Sequence, residues 1–251
     1  MVYFVGAGPG APDLITVRGQ EMLKKADVVI YTGSLVNPQL LRVCKEGCHL
    51  HNSAHMTLEA VLKVMEKAEE DGLMTVRLHT GDPSLYGAVR EQMDALDGKG
   101  IPYESCPGVS SFCGAASVMN LEYTLPGVSQ SVIISRMEGR TPVPDQEKIR
   151  DLAAHQATMV LFLSAGMLEE LSEELMVGGY PAATPAAIVY KATWPQEEKI
   201  VRCKVCDLPW AAEREGITKT ALVIVGDVLD AAYDRSLLYD PAFTTGYRKG
   251  E

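Results

Sequence analysis

The sequence predicts an α/β protein made of two α/β domains. Along residues 1–120, short alternating or β-branched apolar segments typical of strands are separated by segments with apolar residues at helical spacing. This alternation lapses around residues 120–127, and a second series of strands follows. Strands that alternate with helices indicate a parallel sheet covered by helices. We therefore place an N-terminal domain at residues 1–120 and a C-terminal domain at residues 121–251.

Composition excludes several classes of protein. The 251 residues include 23 Lys and Arg against 33 Asp and Glu, which gives a net charge of −10. General binding to nucleic acid needs clustered basic residues and is disfavoured. No apolar run is long enough to span a bilayer and no basic leader opens the chain, so we expect a cytoplasmic protein without membrane contact. The six scattered cysteines are expected to be reduced thiols.

The first predicted strand, Tyr3–Val5, leads into a glycine-proline loop at residues 6–13. The glycines of this loop have the spacing of the dinucleotide-binding fingerprint. Two prolines nevertheless delay the predicted helix until about Thr16, and the next strand ends without an acidic residue to bind a ribose. A dinucleotide-dependent oxidoreductase is therefore a disfavoured alternative, and we expect the loop to line a ligand cleft.

The stretch Leu78–Ala88 follows a predicted strand and precedes apolar residues at helical spacing. Asp82 followed by Pro83 suits a helix N-cap with proline in the first turn, so we expect a helix to begin there. Gly81 would let the backbone approach a ligand, and the N–H groups of the helix start would bind an anion. A second junction of small residues, Pro107–Ser111, is expected to begin another helix.

The remaining elements follow in order. Thr57 is expected to cap an amphipathic helix, and another amphipathic helix ends at Gly178. Strands of the second domain are predicted at residues 131–136, 158–163, 186–190, 200–204 and 221–226. Between the domains, the polar loop Arg136–Pro144 carries two arginines and three prolines or glycines that stiffen it.

Cys203 and Cys206 have the spacing of half a zinc knuckle, and Cys44 with its neighbouring histidines would supply another half. Cys203 alternates with valines as on one face of a strand, and no second closely spaced pair completes the knuckle. Core cysteines and no bound metal are therefore expected. No Ser-His-Asp or Cys-His nucleophile can be assembled from the sequence.

Four motifs, in order over almost the whole chain, resemble the tetrapyrrole methyltransferase family. The motifs are Gly6-Ala7-Gly8-Pro9-Gly10, Gly81-Asp82-Pro83-Ser84-Leu85-Tyr86-Gly87, Pro107-Gly108-Val109-Ser110-Ser111 and Thr220-Ala221-Leu222-Val223-Ile224-Val225-Gly226. Residues 54–59 and 136–144 resemble the members that methylate C11 of a precorrin-4-type corrinoid precursor in cobalamin biosynthesis. Methylation at another macrocycle carbon, or of another acceptor such as diphthamide, is the alternative within the same fold.

This resemblance implies the tetrapyrrole methylase fold, a homodimer, and S-adenosylmethionine bound in the cleft between the two domains. The implied cofactor-binding residues are Pro9, Thr80, Gly81, Asp82, Leu85, Ser110, Ser111, Ser164, Ala165, Tyr190, Ala192, Thr220 and Ala221.

The tetrapyrrole acceptor is expected to contact Arg136, Arg140, His55 and Met56. An acidic protein repels a carboxylate-rich acceptor unless local cations reverse the field, which is the reason for choosing the two arginines. A general base would be Asp82, His55, His79 or Tyr86, and the sequence does not choose among them.

Overall fold

The computed structural model describes residues 1–250, which form two compact units. The first unit combines Met1–Ala115 with Lys191–Glu198, and the second combines Ala116–Tyr190 with the described chain from Lys199 onward. The prediction of two α/β bodies is confirmed. The assignment of domain roles to residues 1–120 and 121–251 stays a prediction, and the membership of Lys191–Glu198 in the first unit was not foreseen.

The first unit contains a five-stranded parallel sheet in the order β3-β2-β4-β1-β5. Its strands are β1 Val2–Gly6, β2 Val28–Tyr31, β3 His49–Asn52, β4 Thr75–His79 and β5 Tyr103–Cys106. The central strand, β4, is buried along its whole length. Because all five strands run in the same direction, their carboxyl ends share one edge of the sheet, where loops are free to bind ligands.

Helices cover both faces of this sheet. They are α1 Val17–Lys25, α2 Leu58–Glu70 and α3 Arg90–Asp97. The next helix, α4 Ser111–Met119, begins in the first unit and continues into the second after Ala115. The hydroxyl of Thr16 accepts the Gly19 N–H at 3.0 Å, and that of Thr57 accepts the Ala60 N–H at 3.3 Å. Both predicted helix starts are thereby confirmed, because each hydroxyl satisfies an N–H that has no partner within its own helix.

The predicted helix start at Asp82 is wrong, because α3 begins only at Arg90. Tyr86 and Ala88 have φ angles of 54° and 47°, in the left-handed region that a right-handed helix excludes. Asp82 caps a short turn instead, and accepts the N–H of Ser84 at 2.9 Å. The anion-binding helix start expected beside Asp82 is therefore not formed there.

The second unit contains a mixed five-stranded sheet in the order β6-β7-β10-β8-β9, in which only β6 and β7 are parallel. Its strands are β6 Val132–Arg136, β7 Thr158–Phe162, β8 Pro185–Tyr190, β9 Lys199–Lys204 and β10 Ala221–Val225. Its helices are α5 Ile149–Ala153, α6 Leu168–Val177 and α7 Leu208–Glu215. All five strands predicted for the second domain are confirmed to within one or two residues.

No helix in the described part of the chain has both the length and the apolar character needed to cross a membrane.

Candidate functional site

Three loops of the first unit meet at the carboxyl edge of its sheet through backbone contacts between glycines, which we call the glycine junction. The Gly8 N–H donates to the Gly81 carbonyl at 3.2 Å, and the Gly81 N–H donates to the Gly8 carbonyl at 2.8 Å. A Cβ on Gly6 would lie 2.5 Å from the Gly108 Cα and 2.6 Å from the Gly81 oxygen. Any side chain at Gly6 would therefore force the loops apart.

Asp82 fastens two of the loops at the glycine junction. One carboxylate oxygen accepts the Gly108 N–H at 2.7 Å, and the other accepts the Ser84 N–H at 2.9 Å together with the Ser84 hydroxyl. Partial burial alone would raise the pKa of Asp82, but these hydrogen bonds together outweigh it and hold the pKa below its ordinary value. Asp82 is therefore a fixed negative charge at neutral pH.

A hollow of about 720 Å³ opens beside the glycine junction, within the size range of small-molecule pockets. Its wall includes Asp82, Leu85, Val89, Met93, Ser110 and Phe112. The structure thus brings three of the predicted cofactor residues, Asp82, Leu85 and Ser110, to one hollow. Four others, Pro9, Thr80, Gly81 and Ser111, lie on the loops of the junction itself or adjoin it.

The segment Lys191–Glu198, which connects β8 to β9, packs on the loop after β1. The Thr193 hydroxyl accepts the Ala11 N–H at 3.1 Å. Trp194 is buried, and a Cβ on Gly10 would lie 2.6 Å from its Nε1. Sequence reasoning missed Trp194, one of two tryptophans in the chain, because a contact between residues so far apart leaves no local pattern in the sequence. The predicted residue Ala192 lies in the same segment and is buried.

The predicted residues of the second unit lie at one edge of its sheet. Tyr190 at the end of β8 pairs in register with Ala221 at the start of β10. Arg136 at the end of β6 pairs with Phe162 at the end of β7. Residues 164 and 165 follow β7, and residue 220 precedes β10, so they adjoin the same edge.

The Ser164 hydroxyl is fully used within the second unit. It donates to the Phe162 carbonyl at 2.7 Å and accepts the Met137 N–H at 2.9 Å, and Ser164 is completely buried. The side chain therefore holds the loop after β7 to the loop after β6. Because the whole residue is buried, Ser164 acts on a neighbouring site by holding this loop rather than by exposing its own atoms.

The expected contact of Arg136 with the acceptor stays a prediction. Arg136 is the last residue of β6, and its guanidinium donates to three carbonyls of the loop that follows, those of Met137, Thr141 and Pro142, at 3.1, 3.2 and 2.7 Å. Its main task is to shape that loop. Arg140 is exposed, and among residues 1–250 it has no hydrogen bond or ion pair, so its guanidinium is available to a ligand.

The four candidate bases have different surroundings. His79 is 2% exposed and stacks on Phe4 with ring centroids 6.1 Å apart. Burial, assisted by the charge of Arg77, lowers the pKa of His79 to about 3. This imidazole is a weak base at neutral pH, which argues against it as the proton acceptor. His55 and Tyr86 have exposed side chains.

Cys203 lies in β9, and burial raises the pKa of its thiol to about 11. A protonated thiol is a poor metal ligand. Within the part of the chain that the structure describes, no group of three or more His, Cys, Asp or Glu side chains is placed to hold a metal ion. That the cysteines hold no metal stays a prediction.

Comparison with known proteins accounts for this architecture. The family model of Tetrapyrrole (Corrin/Porphyrin) Methylases matches residues 1–209. The chain belongs to this family. A cobalt-precorrin-4 C(11)-methyltransferase of Methanocaldococcus jannaschii is 52% identical to this methylase over 249 residues, which are 99% of this chain and 96% of that protein.

Solved structures agree with this assignment. The X-ray structure of a cobalamin biosynthetic enzyme, cobalt precorrin-4 methyltransferase, matches with a TM-score of 0.89 and 46% identity over 92% of this chain and 96% of that one. A uroporphyrin-III C-methyltransferase from Thermus thermophilus, complexed with S-adenosyl homocysteine, matches with a TM-score of 0.76 and 26% identity over 93% and 95%. The chain is a methyltransferase with the tetrapyrrole methylase fold, and the family resemblance of its motifs is confirmed.

We expect acid to destabilise the methylase through His79. The imidazole has a pKa near 6.5 in the unfolded chain and about 3 in the folded one, so the unfolded state binds more protons between these values. The stability that His79 contributes as a neutral imidazole is complete above pH 6.5. It is lost as the pH falls towards 3, by up to about 1.4 kcal/mol per pH unit.

Urea unfolding at a series of pH values between neutral and mildly acidic measures this dependence. The free energy of unfolding of His79→Asn should fall less steeply with acid than that of the unmodified protein. The difference in slope should approach about 1.4 kcal/mol per pH unit, the effect of one proton. His49→Asn, which changes an exposed imidazole, is the control. Equal slopes for His79→Asn and the unmodified protein would show that His79 does not titrate abnormally.

Proposed function

We propose that this methylase transfers a methyl group from S-adenosylmethionine to C11 of cobalt-precorrin-4 in cobalamin biosynthesis. The observation that carries this proposal is the similarity over nearly the whole chain to two proteins, at 52% and 46% identity, whose names both specify cobalt-precorrin-4. The first of these names also specifies C11. Metal-free precorrin-4 is the acceptor to be tested against it.

The glycine junction supports the proposed cofactor site. A ligand can approach the backbone closely there, since Gly81 has no side chain and a Cβ would lie 3.4 Å from the Ser111 nitrogen. The ionised Asp82 on the wall of the adjoining hollow would attract the positive sulfonium. The S-adenosyl homocysteine held by the Thermus thermophilus relative supports the same ligand class.

The proposal extends to the remaining residues that the family resemblance implies. In the second unit and its connecting segment, these are Ser164, Ala165, Tyr190, Ala192, Thr220 and Ala221. Ser164 contributes by holding the loop after β7 to the loop after β6 through its hydroxyl. A homodimer, also implied by the resemblance, completes the proposal.

The residues of the site explain how such a reaction proceeds without a nucleophile from the protein, because the macrocycle carbon is itself the nucleophile and S-adenosylhomocysteine is the leaving group. S-Adenosylmethionine supplies an already activated methyl group, so the protein has to align the two reactants and exclude water. Hydrogen bonds between Gly8, Gly81, Asp82 and Gly108 fix the loops before any ligand binds. A preorganised surface needs little rearrangement when the methyl group moves.

A proton acceptor near the methylated carbon would come from an exposed side chain. His55 and Tyr86 meet this condition, and both stay proposed bases. Asp82 already accepts three hydrogen bonds, so its charge is more useful for positioning than its basicity.

We expect Gly81→Val to weaken binding of S-adenosylhomocysteine, because the new side chain would occupy the space next to the Ser110 and Ser111 backbone. Isothermal calorimetry should show a loss of affinity of about tenfold or more, equivalent to 1.4 kcal/mol or more. Circular dichroism should show a folded protein.

Gly100→Val is the matched control. Gly100 has a φ of +65°, close to the +60° of Gly81, but nothing lies within 4 Å of its Cβ position. Both variants therefore carry the same backbone strain, and only Gly81→Val fills the site. Unchanged affinity in folded Gly81→Val, or an equal loss in both variants, would remove the glycine junction from the cofactor site.

The acceptor is tested by incubating the enzyme with S-adenosylmethionine labelled at its methyl carbon. We expect label at C11 of cobalt-precorrin-4, with a higher kcat/KM than for metal-free precorrin-4, and NMR of the product identifies the carbon. Label at another macrocycle carbon would contradict the proposed specificity. Absence of transfer to either acceptor would contradict the proposed function.

Arg140 is the best candidate for holding the acceptor. The chain has a net charge of −10, so a carboxylate-rich acceptor needs a local cation to offset the repulsion. A guanidinium can bind a carboxylate through two parallel hydrogen bonds, and that of Arg140 is exposed and unpaired among the described residues. Arg136 supports this arrangement by shaping the loop.

Arg140→Ala should raise the acceptor KM by about tenfold or more, because a charge-assisted hydrogen bond contributes about 1.5–3 kcal/mol. The affinity for S-adenosylhomocysteine should not change. Arg214→Ala, which removes an exposed arginine stacked on Trp210, is the control for net charge. A lower cofactor affinity with an unchanged acceptor KM would assign the loop to the cofactor site instead.

A further inference from the structure

The central strand of the first sheet carries a buried arginine without an acidic partner. Arg77 lies in β4 and is 6% exposed. Among the described residues, no carboxylate lies within ion-pair distance of it. Burial lowers the pKa of Arg77 to about 10, so the guanidinium keeps its charge at neutral pH. A buried charge without a counter-ion is unfavourable for stability, which points to another reason for its presence.

The guanidinium donates to three neutral acceptors on different elements. Its Nη1 donates to the Ile30 carbonyl at 3.2 Å and to the Ser53 hydroxyl at 3.1 Å. Its Nε donates to the Gln92 side-chain oxygen at 3.1 Å. Only a planar group with several fixed N–H directions can hold such a set at once, and a lysine ammonium lacks this geometry.

The bond to Ser53 fixes the loop between β3 and α2. The Ser53 hydroxyl in turn donates to the Tyr31 carbonyl at 3.0 Å, at the end of β2. Ser53 begins a single 3₁₀ turn, Ser53–His55, which is closed by the Met56 N–H donating to the Ser53 carbonyl at 3.2 Å. The directions of the exposed His55 and of Met56 therefore depend on where Ser53 is held.

The bond to Gln92 fixes the loop before α3. Gln92 is 5% exposed, and its Nε2 donates to the Ala88 carbonyl at 2.8 Å. Tyr86 and Ala88 both have positive φ angles, which are unfavourable for residues other than glycine. Such a conformation persists only where surrounding contacts impose it, and the Gln92 amide is one of those contacts.

We propose that Arg77 is a positioning residue that sets the two loops Ser53–Met56 and Leu85–Ala88 as one acceptor-binding surface at the carboxyl edge of the first sheet. This rests on the proposed function, because the acceptor is the proposed tetrapyrrole. Arg77 bonds directly to the first loop at Ser53 and is linked to the second through Gln92, whose amide holds Ala88, so one network joins both loops. Each loop presents an exposed side chain there, His55 and Tyr86.

The glycine junction is held independently of Arg77. Its loops are joined by the paired backbone bonds of Gly8 and Gly81 and by the bond from Gly108 to Asp82. Leu85, the residue of the second loop that also lines the hollow, is tied to this junction by its own N–H, which donates to the Asp82 carbonyl at 3.3 Å. A change at Arg77 should therefore affect the acceptor and leave the cofactor analogue bound as before. This separation distinguishes positioning of the acceptor from a general loss of the site.

The network has two arms, one from Arg77 to Ser53 and one from Arg77 through Gln92 to Ala88, and three variants separate them. Arg77→Lys removes both arms, and Ser53→Ala removes the arm to the β3–α2 loop. Gln92→Glu offers Arg77 a carboxylate but replaces the amide N–H that holds the Ala88 carbonyl. Thr75→Val, on the same face of β4, alters a buried hydroxyl without a partner among the described residues and is the control.

We expect Arg77→Lys and Gln92→Glu to raise the acceptor KM by about threefold to tenfold, the size of one lost hydrogen bond, with S-adenosylhomocysteine affinity within about twofold. Gln92→Glu should do so without a lower melting temperature, because it creates an ion pair. Thr75→Val should leave the acceptor KM unchanged. A purely structural role predicts instead that the KM follows the melting temperature.

Hydrogen–deuterium exchange tests the positioning without turnover. Arg77→Lys should speed exchange in both loops, Gln92→Glu only in Leu85–Ala88, and Ser53→Ala only in Ser53–Met56. Unchanged exchange in both loops of Arg77→Lys, or an unchanged acceptor KM in Arg77→Lys and Gln92→Glu, would overturn the proposal. Failure of the unmodified enzyme to methylate any tetrapyrrole would instead overturn the proposed function, and the exchange result would still decide whether Arg77 positions the loops.

Discussion

Direct contact between backbones at the glycine junction is the constraint on which the first unit's site depends. Gly8 and Gly81 exchange both of their hydrogen bonds, and Gly6 touches Gly108 with no room for a side chain. The same close approach that excludes a side chain at Gly6 lets the N–H and carbonyl groups of Gly8 and Gly81 find partners in the opposite loop. The bond from Gly108 to Asp82 and the hollow beside it exist only because the loops approach this closely.

Local patterns in the sequence were enough to predict most elements. The strands of the second unit were visible as alternating apolar residues, and the starts of α1 and α2 were visible in Thr16 and Thr57. These signals succeed because a strand's alternation and a hydroxyl cap act over a few residues. The late start of α1 was likewise readable from the prolines of the preceding loop.

Longer-range contacts explain what the sequence did not reveal. Asp82 has the local signal of a helix cap, but its carboxylate is taken by Gly108, 26 residues away, and the chain then turns left-handed. Thr193 and Ala11 meet across 182 residues, so no local pattern could have placed Trp194 against Gly10. The site residues inferred from the family motifs stay predictions, because the fold shows where their backbones lie but not which atoms contact a ligand.

The polar face of β4 is unusual for the centre of a parallel sheet, whose strands are commonly apolar on both faces. Thr75, Arg77 and His79 are all buried on that face. The charge of Arg77 helps to keep His79 neutral, so a single cation is buried there rather than two. This face stabilises the loops above the sheet at some expense in core packing.

The position of Trp194 in the chain also has a consequence for synthesis. The first unit includes Lys191–Glu198, although the rest of that unit ends at Ala115. The ribosome therefore makes this segment long after the rest of the unit. At about 5–20 residues per second, a ribosome needs several more seconds to supply the missing piece. During that interval Gly10 lacks the indole that covers it in the folded protein, and a fragment ending near residue 120 would lack it permanently.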